Sequence, residues 1–507
     1  MFPARLLRSR RMVTRAAPAD PRPALLPSVP WLEGAEGWTG HNGLIRRDRL
    51  AFARLVADAA RPLSRVKTPF AEVLAVGTPE TVHEVLLEKS QDFMKSAMLR
   101  FVLHPLAGDG LFTSDGQLWK RQRKLMAPLF HQASLTKYAE DMVTCTEREV
   151  ASWRDGDELP LFKATTRITM AIAGKTLFDA DTFSEADTIG AALTCALDWT
   201  AHQAGAPFAI AHLVSARFLE KTSERAPAAF KASLYSAAQR LRTPLLLPGK
   251  EGRALREALD LLDAHVQRMI DVRRQATDRD DLLSRLLHAH DDEVGRMTDK
   301  QLRDEVLTLF VAGHETTATG LAWTVDLLCR HPEWYARARQ EVDALGHRPT
   351  VTDLPRLNVC QRIFKEALRI YPPVYFFGRT AVRDTVIGNV HVPRFTNVVI
   401  LPWALHRNPR VWPDAERFDP DRFLPANEQT RHRSAWLPFG AGPRVCIGNH
   451  FALMEGPLVL AAMLRDHDFE LLLRDEPEPF VTLRPKQGIP VRIRKRTPAH
   501  SEAPTRN

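Results

Sequence analysis

The strongest constraint on the fold is one helical signal past the middle of the chain. Thr298 and Gln301 form a capping box, the apolar periodicity that follows continues to Cys329, and His331-Pro332 ends it. About 32 residues at 1.5 Å each give a helix of ~48 Å, long enough to cross a whole domain. In its middle lies Ala312-Gly313-His314-Glu315-Thr316-Thr317. Glycine, adjacent β-branched hydroxyl residues and a carboxylate all weaken a helix, so this segment predicts a widened turn within a buried element. Thr308, Ala312 and Thr316 recur at i, i+4 and i+8 and form a strip of small residues against which a flat ligand could press. The plainer alternative is a helix with a tolerated glycine and a surface glutamate.

Helix dominates elsewhere too. From about residue 140 to 330 the pattern is almost entirely helical, and Arg253 to Arg274 places Leu255, Leu259, Leu262, Val266, Met269 and Ile270 along one stripe. Near the start, Phe70 to Val76 predicts a short strand and Pro79 to Leu87 a helix. Past Pro372, short apolar runs broken by Pro, Asn and Gly predict small sheets and loops. With no internal repeat and no long linker, the expected architecture is mostly α with minor β. It forms a single domain over residues 31–496, between a basic, Pro-rich tail at 1–30 and a short tail at 497–507.

The chain has 507 residues, with 70 Lys plus Arg against 61 Asp plus Glu, so it carries a formal +9. Such a balance raises the question of nucleic acid, and the answer depends on where the charge sits. Residues 1–22 hold six arginines against Asp20, and residues 484–507 hold seven Lys or Arg against Glu502, so the rest of the chain is slightly acidic. This assigns the excess to the two tails. With no zinc finger and no aromatic RNA platform, no nucleic-acid partner is expected.

Five cysteines, at 145, 195, 329, 360 and 446, include no C-x-x-C pair, which argues against a disulfide framework and a structural zinc site. The Arg-rich N-terminus lacks an apolar core, so it is a solvated tail or a presequence, and cytoplasmic location is expected with mitochondrial as the alternative. The longest weakly charged stretch, Trp199 to Ala216, contains His, Gln, Gly and Pro and does not predict a transmembrane anchor.

The second chemical feature is the loop Phe439-Gly440-Ala441-Gly442-Pro443-Arg444-Val445-Cys446-Ile447-Gly448, followed by a helical run. It lacks the Lys and Ser or Thr of a phosphate loop and is not a dinucleotide turn. Cys446 stands near a helix N-terminus with Arg444 two residues away, a setting that favours a thiolate. The glycines let backbone approach a large flat group. The other four cysteines read as structural.

This loop matches F-x-x-G-x-R-x-C-x-G, the haem-binding signature of the cytochrome P-450 family, and further motifs follow the family order. Trp119-Lys120-Arg121-Gln122-Arg123 resembles its W-x-x-x-R, and Ala312 to Thr317 its oxygen-activating helix. Glu366-Ala367-Leu368-Arg369 resembles its E-x-x-R, and Phe418-Asp419-Pro420-Asp421-Arg422-Phe423 its F-x-P-x-R-F. Any one of these would occur by chance; five in series would not. The resemblance is sharp from about Leu282 to Ile493 and weakest over residues 1–60 and 185–250.

The resemblance implies a haem-thiolate monooxygenase with haem b (iron protoporphyrin IX), Cys446 as the axial thiolate, and Phe439, Gly440, Ala312 and Gly448 close to the ring. Arg444, Trp119, Arg123 and Arg379 would hold the propionates, and Glu366, Arg369 and Arg422 would form a buried network that fixes the Cys446 loop. Glu315 and Thr316 would relay protons. Substrate contacts would come from Phe310, Ala312 and Thr316, from Val374, Tyr375 and Phe376, and from Val481 and Thr482, with Tyr375, Phe376 and Phe377 either narrowing the pocket or packing the core.

The implied substrate is a hydrophobic small molecule, a fatty acid, terpenoid or similar, that is hydroxylated or epoxidised with O2. Without room for a fused flavin domain, NAD(P)H electrons would arrive through a separate ferredoxin or flavodoxin with its reductase, at a basic face formed by Lys120, Arg121 and Lys124. A monomer is expected. The alternatives are a haem-thiolate enzyme that uses peroxide or rearranges hydroperoxides, which the intact Glu315-Thr316 pair argues against, and a non-enzymatic haem sensor. Gly456-Pro457 departs from the family pattern and predicts a kink or interruption in the helix after Cys446.

Overall fold

A computed structural model describes residues 24–37, 39–69, 73–204, 206–242, 249–275, 281–288, 290–291 and 295–496. Residues 1–23 of the tail expected over 1–30, the tail expected over 497–507, and Phe70 to Glu72 of the first expected strand lie outside the described residues. Ala24–Leu25, in contrast, pair in parallel with Val390–His391, and Leu26 and Val29 are buried, so 24–30 belong to the fold.

The central helix spans Asp299–Arg330, with both hydrogen bonds of the Thr298–Gln301 capping box formed. It is continuous through residues 312–317, so the widened turn expected there is corrected. Instead, the Thr316 hydroxyl donates to the Ala312 carbonyl at 2.7 Å, an i→i−4 bond that accommodates the polar residue without breaking the helix. Its main packing partner is the helix Leu161–Phe178. There Thr165 donates to the Ala318 carbonyl at 3.1 Å and Thr169 to the His314 carbonyl at 2.7 Å, so the two helices approach closely where small residues face.

Two helices flank the site. The helix Asn358–Ile370 carries the E-x-x-R residues, and Asn449–Asp466 begins three residues after Cys446. The latter runs unbroken past Pro457, which corrects the expected interruption. Tertiary packing overrides the proline: a Cβ on Gly456 would stand 2.4 Å from the Phe364 ring, so the bare glycine lets Asn358–Ile370 lie against this helix.

The β structure is peripheral. The largest sheet orders Leu63–Val66, Val73–Val76, Asn397–Ile400, Phe377–Ala381 and Phe93–Lys95, with only the Val73–Val76 and Asn397–Ile400 pair parallel. Its last pairing sets Lys95 directly opposite Arg379. A second sheet pairs Pro490–Lys495 with both His467–Leu471 and Glu158–Pro160. This corrects the assignment of the C-terminal basic residues to a tail. Arg484 pairs with Asp198, Arg492 with Glu158, Arg494 with Glu470 and Arg496 with Asp343, all within the fold.

Candidate active site

Cys446 is built into position by the glycines before it. Gly440 and Gly442 have φ of +67° and +73°, and a Cβ on Gly442 would stand 1.9 Å from the Leu86 carbonyl oxygen, so only glycine lets the loop pass there. The loop closes with the Cys446 N–H donating to the Phe439 carbonyl at 2.9 Å. Phe439 packs edge-on against Trp436.

Cys446 is deep within the protein, and burial pushes its thiol up, while the Gly448 N–H and the Arg123 guanidinium favour the thiolate. Yet the residue keeps open surface. A residue enclosed by protein and still accessible borders an internal hollow. Ala312 and, less so, Gly313 and Thr316 keep open surface midway along a central helix that is otherwise nearly all buried. The other buried thiols are pushed further: burial takes Cys145 and Cys329 up to about 12 and Cys360 well above the ordinary thiol value.

A buried network underlies the loop. Glu366 and Arg369, both fully buried, form a two-point ion pair at 2.6 and 2.7 Å. Arg369 also donates to the carbonyls of His406, Ala415 and Arg417, and the Asp419 N–H donates to Glu366. Arg422 approaches Glu366 at 3.5 Å. His406 extends the network to the Cys446 loop. Its Nε2 accepts from the Leu437 N–H at 2.7 Å, so the proton sits on Nδ1 and is donated to the Arg369 carbonyl at 3.0 Å. Burial holds this imidazole neutral, well below the usual histidine range.

Cations gather beside the Cys446 loop, which carries Arg444. Lys95 and Arg379 stand side by side across the sheet, where like charges repel. Arg444 bonds Asp115 at 2.7 Å and the Ser90 carbonyl at 3.2 Å, and its guanidinium lies over the Trp119 ring at 5.3 Å. Lys95 Nζ donates to the Leu111 and Ser114 carbonyls, both at 2.7 Å. Burial, Arg444 and Arg379 together press Lys95 down to about 7, and burial and Arg444 press Arg379 down to about 10, although Asp115 opposes both. Three basic groups gather around Asp115, with Glu305 acting more weakly on Lys95, an arrangement that favours an anion.

Residues 40–492 match the sequence model of the family described as Cytochrome P450. The chain belongs to the cytochrome P450 family. Its relatives include cyclooctatin synthase of Streptomyces melanosporofaciens, 33% identical over 421 residues that cover 81% of this chain and 84% of that one. Pentalenene oxygenase of Streptomyces avermitilis is 33% identical over 390 residues, 76% of this chain and 79% of that one. Among solved structures, the cytochrome P450DA heme domain superposes with a TM-score of 0.77 at 28% identity, covering 93% of this chain and 98% of that chain. This chain is accordingly a P450 monooxygenase of a haem-thiolate family.

The residues of this P450 fit haem. Cys446 offers one thiol donor for iron, the open surface at Ala312, Gly313 and Thr316 suits a flat ring, and the basic cluster beside the Cys446 loop suits the ring's two propionates. Of the expected propionate partners, Arg379 and Arg444 lie in the cationic cluster with Trp119 beside them. Arg123 stands apart, its Nη1 donating to the Val445 carbonyl next to Cys446 at 2.9 Å. Lys95 and His406 were not among the expected residues. Lys95 has no motif, and only its pairing with Arg379 reveals it.

On the substrate side two expectations are corrected. Phe310 is buried and stacked on Phe178 with ring centroids 4.7 Å apart, so it serves the contact with Leu161–Phe178. Tyr375 is buried among Phe52, Trp403 and Leu483, its hydroxyl donating to the Phe480 carbonyl at 2.8 Å, which makes it core packing. Phe376 is exposed and Val374 half-buried. Val481 and Thr482 occupy the tip between the strands Pro477–Pro479 and Leu483–Pro485, and the Thr482 hydroxyl donates to Glu315 at 2.6 Å. Among the described residues, no helix is long and apolar enough to cross a membrane.

Proposed function

We propose that this P450 hydroxylates or epoxidises a terpenoid hydrocarbon or alcohol with O2, taking electrons from a separate ferredoxin or flavodoxin and its reductase. The carrying observation is the enclosed yet open Cys446 together with open Ala312 and Thr316, beside a cationic cluster suited to two carboxylates. The relatives named cyclooctatin synthase and pentalenene oxygenase support terpenoids as the class.

Haem b, when bound, supplies the activation of O2 and the oxidation of an unactivated C–H or C=C bond. The chain's own residues do the rest. Cys446 ligates iron as a thiolate, favoured by the Gly448 N–H and Arg123. Lys95, Arg379, Arg444 and Trp119 would hold its propionates with charge-assisted hydrogen bonds. Glu366, Arg369 and His406 keep the Cys446 loop in one conformation, with Arg422 in support. Ala312, small and open, would leave room beside the ring for substrate and O2.

Glu315 and Thr316 move protons. Burial pushes the Glu315 carboxyl up, against the Thr482 hydroxyl and Arg484, which favours the protonated form that a relay needs. Lys120 and Lys124 are exposed on the helix Gly116–Met126 that carries Trp119 and Arg123, and with Arg121 they offer a basic face for an acidic electron carrier.

The test uses the haem-loaded protein with cyclic sesquiterpene and diterpene hydrocarbons, and with dodecanoic acid as the comparison. The reading expects a spectral shift of the haem on adding a terpene, and 18O from labelled O2 in a product formed with NADH, a ferredoxin and its reductase. Shifts with dodecanoic acid alone would refute the substrate class. Turnover with hydrogen peroxide and none with NADH would favour the peroxide-using alternative.

A further inference from the structure

The two residues of the proton relay are not joined to each other. Thr316 donates to the Ala312 carbonyl, while Glu315 Oε1 accepts from Thr482 and the buried Oε2 has no hydrogen-bond partner among the described residues. Glu315 is thus held from outside its own helix, by the tip of a hairpin.

That tip is tied to three other elements. Arg49, at the start of the helix Arg49–Ala59, donates to the carbonyls of Pro479 and Phe480 at 2.8 and 3.2 Å, and to the Ala201 carbonyl at 2.7 Å. Ala201 belongs to the helix Ala186–Gln203, which also supplies Asp198, bonded by Arg484 at 2.9 Å. The Arg484 guanidinium covers the Phe480 ring at 3.8 Å. On the central helix, the Trp323 indole N–H donates to the Leu483 carbonyl at 2.9 Å. Val481, next to Thr482, keeps part of its surface open. The charged groups that act on Glu315 are Arg484, which favours its ionised form, and Asp198, which opposes it. Both belong to the same clasp.

We propose that Thr482 is a positioning residue whose hydroxyl holds the Glu315 carboxyl away from Thr316 until substrate pressing on Val481 displaces the hairpin tip and frees the acid. A buried carboxyl that loses its one donor must find another. The long glutamate side chain then turns toward the hollow bordered by Thr316, where a water can join the two. The freed Glu315 can then pass its proton toward Thr316 only with substrate in place. This links occupancy of the pocket to proton supply and limits reductant loss in the empty enzyme. The proposal rests on Glu315 and Thr316 being the relay.

The test compares Thr482→Val, Thr482→Ser and Glu315→Gln in the haem-loaded protein. Difference infrared spectra report the Glu315 carboxyl band, assigned by its loss in Glu315→Gln. Its titration midpoint rises by about one pH unit in Thr482→Val and returns in Thr482→Ser, as expected for loss of a hydrogen bond to a charged group. Without substrate, NADH consumption and hydrogen peroxide release, supported by a ferredoxin and its reductase, increase about tenfold in Thr482→Val, equivalent to ~1.4 kcal/mol, and fall back in Thr482→Ser. If either quantity is unchanged in Thr482→Val, the proposal is overturned. If Glu315→Gln consumes NADH and releases peroxide as the parent does, the relay itself is refuted, which separates that failure from failure of the hold.

Discussion

Glu455 gives the sharpest stability prediction. It lies on the helix Asn449–Asp466 and is buried, its carboxyl bonded by the Thr317 hydroxyl while one oxygen has no hydrogen-bond partner among the described residues. Burial pushes its pKa up to about 8. In the unfolded chain it titrates near the ordinary glutamate value, so between about 4.5 and 8 the folded state holds a proton that the unfolded state has released. The unfolded state binds fewer protons there, and stability therefore falls as pH rises through that window. At about 1.4 kcal/mol per unit, the loss approaches ~5 kcal/mol above pH 8 and ~3 kcal/mol at pH 7.

Glu455→Gln keeps the size and a hydrogen-bonding group for Thr317 but cannot ionise. Urea unfolding of the parent and the variant across pH 5 to 8.5 measures the difference. The variant is expected to gain on the parent steadily as pH rises, most of it by pH 8. Parallel pH profiles would refute the reasoning. A variant that loses ground as pH rises would show that Glu455 is ionised and paired in the folded protein.

Two further outcomes follow from the site. Glu366→Gln leaves Arg369 buried without its counter-charge, which costs about 3–5 kcal/mol, so thermal unfolding and haem content should both drop; an unchanged melting temperature would contradict the network. Lys95, pressed down to about 7 by burial, Arg444 and Arg379 against the pull of Asp115, gains a proton when two propionates enter, so haem binding should strengthen as pH falls from 8 toward 7. In Lys95→Met that pH dependence should disappear, as measured by haem transfer to an acceptor apoprotein at pH 6 and 8; a dependence equal to the parent's would exclude Lys95 from the propionate site.

What could be read from the sequence was whatever is local. The Thr298–Gln301 box and the proline after His331 bound the central helix to within a residue, because capping and termination are written in adjacent positions. The glycines before Cys446 and the spacing of Glu366 and Arg369 are equally local. Features that depend on distant segments escaped. Lys95 meets Arg379 only through strand pairing, and His406 joins Arg369 to Leu437 with no motif of its own. Phe310 was aimed at the wrong neighbour because periodicity gives a face without saying which partner covers it. Pro457 misled through propensity, which close packing of Gly456 on Phe364 overrides. Counting C-terminal arginines as a tail failed because composition does not reveal their ion pairs.

The central claim, that Cys446 is the thiolate ligand of haem, is tested most directly by the carbon-monoxide difference spectrum of the reduced protein beside its Cys446→Ala variant. The account predicts a red-shifted Soret band in the parent that is lost in the variant. A histidine-type spectrum in the parent, or a red-shifted band that survives the substitution, would contradict it.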